Sequence, residues 1–180
     1  MVFPLISDFS HAPVWVPPAD IPEGPFAVLT QERSQEDRLT ALAVNYGPRL
    51  LVPEVWSRLL PQAGVLISSA ISGGTLRQRF QEAADTYPRR CWLLVEPLAM
   101  DFSLPCPTGC GEPASIPSGY RQFYSQSLCC YYAHFFKNEQ GHMVLWDTQA
   151  TLETKLALAK ECGFLGYVFP AGSIDNSKKL

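Results

Sequence analysis

Two continuous apolar runs, GVLI at Gly64–Ile67 and WLLV at Trp92–Val95, are each bounded by polar turns, and the first is followed at once by an amphipathic helical period. Unbroken apolar strands of this length suit a sheet buried on both faces, which is the situation of parallel strands covered by helices. Further apolar runs rich in β-branched or aromatic residues lie at Val2–Ser7, Phe26–Thr30, Arg49–Val52, His142–Asp147 and Leu165–Phe169. Helices are expected between several of them. In Ser34–Tyr46, Leu39, Leu42, Ala43 and Tyr46 share a face, Ser34 is placed to cap and Gly47-Pro48 to stop. In Thr75–Tyr87 the stripe is Leu76, Phe80, Ala83, Ala84 and Tyr87, while in Thr151–Cys162 it is Leu152, Leu156 and Ala159, with Gly163 positioned as a left-handed C-terminal cap. Strand and helix alternating in this way predict βαβ units rather than a sandwich.

The 180 residues predict a single α/β domain over 1–180, and 47% hydrophobic against 17% charged residues is enough apolar matter for a packed core. A net charge of -3 gives no basic stripe for phosphates, so nucleic acid is not an expected partner. No apolar run reaches the roughly 20 residues that span a bilayer, so no membrane association is expected either. The N-terminus has no Lys or Arg ahead of its first apolar run and meets Pro4 and Asp8 early, unlike a secretory signal. This predicts a cytoplasmic chain whose six cysteines are thiols.

Residues 101–140 break the rhythm. They are rich in Pro, Gly, Ser, Cys and Tyr, and are expected to form an irregular insertion with at most a short helix near Tyr120–Tyr124. Around this insertion the order of elements is an apolar strand at Cys91–Phe102, the insertion, Val144-Leu145-Trp146-Asp147, a helix opening Thr151-Leu152-Glu153-Thr154-Lys155, and Gly166-Tyr167-Val168-Phe169. That order resembles the end of the barrel in family 18 glycoside hydrolases of the bacterial spore-cortex-lytic type, and the resemblance covers half of the chain. It implies a shortened or incomplete TIM-type (β/α) barrel, with functional groups at the C-terminal ends of the strands and an N-acetylglucosamine-type glycan as the ligand class. Family 18 enzymes hydrolyse by substrate assistance and need one carboxylic acid as proton donor, the last residue of an Asp-x-x-Asp-x-Asp-x-Glu run. This sequence has no such run. Ser68-Ser69-Ala70 stands where the family has a Tyr-Asp pair, and Phe169 where it has the Trp that floors the sugar subsite. The resemblance therefore implies a catalytically degenerate relative.

Carboxylates at or just after the proposed strand ends, Glu96, Asp101 and Asp147, are the candidates for acid–base work in a common pocket. If a glycan binds, Trp92, Trp146, Tyr131, Tyr132 and Phe169 are the rings to stack on sugar faces, against the simpler reading of core aromatics. Ser72, Gly73, Gly74 and Thr75, joining a strand to a helix, together with Arg77, form a candidate anion site and motivate the alternative of an enzyme acting on a phosphorylated substrate. No cofactor is expected. No metal is expected, although Cys106, Cys110, Cys129 and His134 form an alternative zinc set. A third reading is a structural protein whose insertion binds a protein partner. Because an incomplete barrel exposes strand edges, a homodimer is also expected.

Overall fold

The computed structural model describes residues 9–16, 19–106, 110–116 and 118–170. The expected strand at Val2–Ser7 lies outside them. The parallel strands are β1 (Ser10–His11), β2 (Phe26–Ala27), β3 (Leu50–Pro53), β4 (Gly64–Ser68), β5 (Cys91–Leu94) and β11 (Gly166–Val168). They form one six-stranded sheet in the order β1-β11-β5-β4-β3-β2, every pairing parallel. Beyond β1, Val14 bridges Ala27 of β2 in parallel, with Trp15 N–H donating to Ala27 O at 2.8 Å and Ala27 N–H to Pro13 O at 2.9 Å. The two ends of the sheet are thus joined and the strands run round as a ring. The expected TIM-type α/β architecture is borne out, with six strands in the main sheet among the described residues where a full barrel has eight.

A six-stranded ring is narrower than an eight-stranded one, whose interior is just wide enough for side chains to fill it. The inward residues here are accordingly small around one large ring: Ala12, Ala27, Leu51, Leu66 and Val168 pack with Trp92 in a single buried cluster. Gly64 and Gly166 make room for that indole. A Cβ on Gly166 would run into the Trp92 ring and the backbone oxygen of Ser10, and a Cβ on Gly64 would lie 2.5 Å from Leu51 Cδ2 and 3.3 Å from Trp92 Cδ1.

Outside the ring sit α1 (Glu36–Tyr46), α2 (Leu76–Thr86) and α3 (Gln149–Glu161). The stripes anticipated from periodicity are the buried faces. Leu39 and Ala43 pack with Phe26, Leu50 and Val52, while Phe80, Ala83, Leu156 and Ala159 pack with Val65, Ile67 and Leu93. A 3-10 turn, Arg33–Gln35, precedes α1, and no side-chain cap is made there by Ser34. Helix α3 begins earlier than its apolar period suggests, because Thr148 and Thr151 form a reciprocal capping box. It ends as expected at Gly163 (φ +83°). The amides of Phe164 and Gly163 donate to the carbonyls of Ala159 and Lys160, closing a Schellman motif.

The insertion is where expectation and structure differ. Instead of an irregular segment, β6 (Ala99–Leu104), β7 (Glu112–Pro113), β8 (Phe123–Ser125), β9 (Cys130–Lys137) and β10 (Gln140–Trp146) form a second, antiparallel sheet in the order β7-β6-β10-β9-β8. The tryptophan strand at His142–Asp147 is real, but it lies in this sheet and not in the barrel. Strands β9 and β10 are joined through Asn138 and Glu139, both at positive φ (50° and 63°), as a two-residue hairpin with a primed turn requires. Both faces of the sheet are apolar: Leu98, Phe102, Cys130 and Leu145 cluster on one, Ala133, Val144 and Trp146 on the other. Such strands lack the polar–apolar alternation that would reveal them. The open edges that motivated a homodimer are paired with each other in the main sheet. Among the described residues no helix is long and apolar enough to cross a membrane.

Candidate functional site

Parallel strands present their C-terminal ends to one side of a barrel, and loops there build the binding face. In this chain the segments after β2, β3, β4, β5 and β11 surround a cleft of about 570 Å³. Its apolar lining includes Leu29, Leu66 and Leu94, and its polar groups are Gln31, Glu54, Ser68, Arg79 and Glu96. Of the two carboxylates, Glu54 is committed to an ion pair with Arg79, which reaches over from α2. The carboxylate of Glu96 makes no hydrogen bond or ion pair among the described residues; only its backbone is tied, its N–H donating to Ser69 Oγ at 2.9 Å and its carbonyl accepting from the same hydroxyl at 3.3 Å. Glu96 therefore offers an anionic acceptor at a half-buried position over an apolar floor.

The other two candidate carboxylates do not join it. Asp101, on β6, faces His142 of β10, with Nδ1 3.0 and 3.1 Å from its two oxygens. Asp147 is 2% exposed and fully engaged. One oxygen accepts from Lys155 Nζ at 2.7 Å and from the Leu98 amide at 2.9 Å, the other from Thr151 Oγ1 at 2.8 Å. Lys155, itself wholly buried, also donates to the Ser69 carbonyl at 3.2 Å. The pair is thus a buried, hydrogen-bonded ion pair tying α3 to the junction of the two sheets.

Nor do the proposed stacking rings meet the cleft. Trp92 fills the barrel interior, and Trp146 is 3% exposed beneath Tyr131, with ring centroids 6.1 Å apart. Tyr132 lies on the opposite face of the second sheet, stacked with Phe123 at 5.3 Å, and Phe169 packs against Tyr167 and His11 beyond β11. The helix-terminus anion site is occupied by the protein's own groups. The Leu76 amide at the start of α2 donates to Ser127 O at 2.8 Å, and Arg77 is held by Glu161 at 2.9 Å, while Ser72, Gly73, Gly74 and Thr75 form an exposed turn. The zinc set is dispersed. Cys129 lies in the core under α2 and α3, Cys106 packs with the second sheet, and His134 stacks on Phe123. Among the described residues no three His, Cys, Asp or Glu side chains are placed to hold a metal ion. Burial pushes the thiols of Cys91 and Cys130 up to about 11, which keeps both protonated and poorly nucleophilic at neutral pH.

The residues not singled out as site residues from the sequence are Gln31, Glu54, Arg79 and Lys155, while Ser68 and Ser69, noted only as standing in place of the Tyr-Asp pair, line the cleft and hold the Glu96 backbone respectively. Lys155 carried a signal. It falls on the Leu152–Leu156–Ala159 stripe of α3, and a lysine in an apolar stripe demands a buried anion.

No protein-family model matches the chain, and no curated protein matches its sequence. Solved structures do match its shape. The spore cortex-lytic enzyme SleL of Bacillus cereus superposes with a TM-score of 0.51 at 14% identity, over 83% of this chain and 45% of that one. A family GH18 chitinase of Cycas revoluta, solved in complex with (GlcNAc)4, gives 0.50 at 15% identity over 86% and 64%. The chitinase of Chromobacterium violaceum gives 0.50 at 11% identity over 83% and 62%. The chain spans less than half of the SleL chain and just under two thirds of the two chitinases. At these identities the likeness concerns the fold: a partial TIM-type α/β barrel similar to that of GH18 enzymes.

Proposed function

We propose that this chain is a glycoside hydrolase-like domain that binds an N-acetylglucosamine-type glycan in the cleft at the barrel mouth without hydrolysing it efficiently. The observation that carries the reading is the carboxylate of Glu96, unpaired among the described residues, beside an apolar floor at the C-terminal end of the ring. A sugar ring has apolar C–H faces and a hydroxyl edge, and an acetamido group adds an N–H donor. The leucine floor suits the first, and Glu96, Gln31 and Ser68 suit the others. Efficient hydrolysis is not expected, because the acidic run that supplies the proton donor in the family is missing and Glu54 is neutralised by Arg79. Losing a general acid costs roughly 10²–10⁴-fold in rate.

Calorimetric titration with (GlcNAc)4, alongside a hydrolysis assay on the same sample, tests both halves. The wild-type protein is expected to bind and to release no sugar at chitinase rates. Glu96→Gln is expected to weaken binding by about tenfold or more, the cost of removing a charged hydrogen-bond acceptor. Failure to bind at millimolar oligosaccharide would remove the glycan reading, and rapid turnover would remove the degenerate one.

A further inference from the structure

We propose that Lys155 is a positioning residue for Glu96, an inference that rests on reading the mouth cleft as the glycan site. The segment Glu96-Pro97-Leu98 leaves the barrel strand β5 and enters β6 of the second sheet, so it carries the cleft's free carboxylate across the junction of two sheets. It is pinned at both ends. At one end the Ser69 hydroxyl holds the Glu96 backbone through both its N–H and its carbonyl. At the other, Asp147 holds Leu98 twice, Oδ2 accepting from the Leu98 amide at 2.9 Å while the Asp147 amide donates to Leu98 O at 2.9 Å. Lys155 Nζ is bonded to both pins, at 2.7 Å to Asp147 Oδ2 and 3.2 Å to the Ser69 carbonyl. Helix α3 thereby fixes, from behind, the backbone from which the Glu96 side chain extends into the cleft.

A wholly buried ammonium is expensive to desolvate, and the two acceptors that offset this for Lys155, Asp147 Oδ2 and the Ser69 carbonyl, have no water to replace them, so the geometry is rigid. Rigidity matters at Glu96 because Pro97 removes a backbone donor from the segment, leaving Glu96 and Leu98 as its hydrogen-bonded anchors. Holding the Glu96 backbone in place beforehand removes the backbone share of the ordering cost that a mobile segment would add on binding.

The test combines amide hydrogen exchange with (GlcNAc)4 titration. Ser69→Ala removes one pin without stranding a charge. The Glu96 amide is expected to exchange at least about tenfold faster, amides of α1 and β3 to be unchanged, and affinity for (GlcNAc)4 to fall about fivefold. In the Glu96→Gln background the same Ser69→Ala change is expected to cost less than about twofold, because its effect passes through that carboxylate. The pair of changes Lys155→Met and Asp147→Asn, made together so that no charge is left buried alone, is expected to speed exchange at Glu96 and Leu98 alike and to shift the carboxyl-carbon resonance of Glu96. Unchanged exchange at Glu96, or an equal loss of affinity in both backgrounds, would overturn the proposal. If the wild-type protein binds no (GlcNAc)4, the glycan reading fails on its own, and the exchange rates and the Glu96 resonance still decide whether Lys155 holds the segment.

Discussion

Replacing Trp92 with alanine separates two readings of the same residue. As a ring waiting for sugar it would be dispensable for folding; as the filling of a six-stranded ring it is indispensable. It is 5% exposed and packs among Leu51, Leu66 and Val168. An aromatic side chain of this kind buries roughly 150–250 Å². At about 25 cal/mol per Å² that amounts to roughly 4–6 kcal/mol of transfer free energy, part of which the alanine methyl keeps. Collapse around the deletion is hindered, because the opposing positions are Ala12, Ala27, Gly64 and Gly166 on hydrogen-bonded strands that cannot close the gap with a change of rotamer. The expected loss is therefore in the range of about 3–5 kcal/mol found for large-to-small core substitutions. Domains of this size have about 5–15 kcal/mol in all, so the variant should be marginal. Urea unfolding followed by far-ultraviolet circular dichroism gives the number, with the slope of the transition checking that both states have kept their compactness. A loss below about 1 kcal/mol would refute the packed-ring account.

Two further outcomes follow from the same geometry and from the thiols. Gly166→Ala should destabilise more than Gly64→Ala, because the first methyl meets the backbone oxygen of Ser10 and the wedged Trp92 ring whereas the nearest atom to the second is the movable end of Leu51; equal urea midpoints would contradict this. Cys91 and Cys130 are raised from 9.0 to about 11 by burial, so between about pH 9 and 11 the unfolded chain gives up their protons before the folded one does, and stability should fall as pH rises through that window. Cys130→Ala should flatten the slope of urea midpoint against pH, and an unaltered slope would count against a buried, protonated thiol.

The legible parts of this fold were those whose periodicity has one interpretation. GVLI and WLLV read as doubly buried strands because they are, and the stripes of α1, α2 and α3 read as helices because each has one apolar face. The second sheet was illegible for the opposite reason. In Cys130–Lys137 the residues alternate between two faces that are both apolar, Tyr132 on one and Tyr131, Ala133 and Phe135 on the other, so no period-2 contrast survives in the letters. The one local clue was Asn138, a residue that tolerates positive φ, placed between two aromatic-rich or apolar stretches. Ring closure was illegible as well. It depends on Val14 meeting Ala27 across thirteen positions of chain rich in proline, and although Ala27 lies in the apolar run Phe26–Thr30, Val14 belongs to no run long enough to announce the strand that meets it.

The candidate site divides along the same line. Glu96 was identified because it follows an apolar strand directly, and strand ends are where a parallel barrel exposes groups. Asp147 follows an apolar strand too, and the same rule placed it in the pocket, but its strand belongs to the antiparallel sheet and its side chain turns inward to Lys155. What distinguishes them in the sequence is the partner and not the strand. Among the described residues no cation is bonded to the Glu96 carboxylate, whereas Lys155 sits eight residues beyond Asp147 on the buried face of the next helix, two turns in, with Thr148 and Thr151 fixing where that helix starts. A carboxylate followed by a capped helix with a lysine in its apolar stripe is thus more economically a buried pair than an acid in a cleft, since leaving either charge alone in the core would cost about 3–5 kcal/mol. By that rule the strand-end acid without an internal partner is the one free to meet a ligand, and in this chain that acid is Glu96.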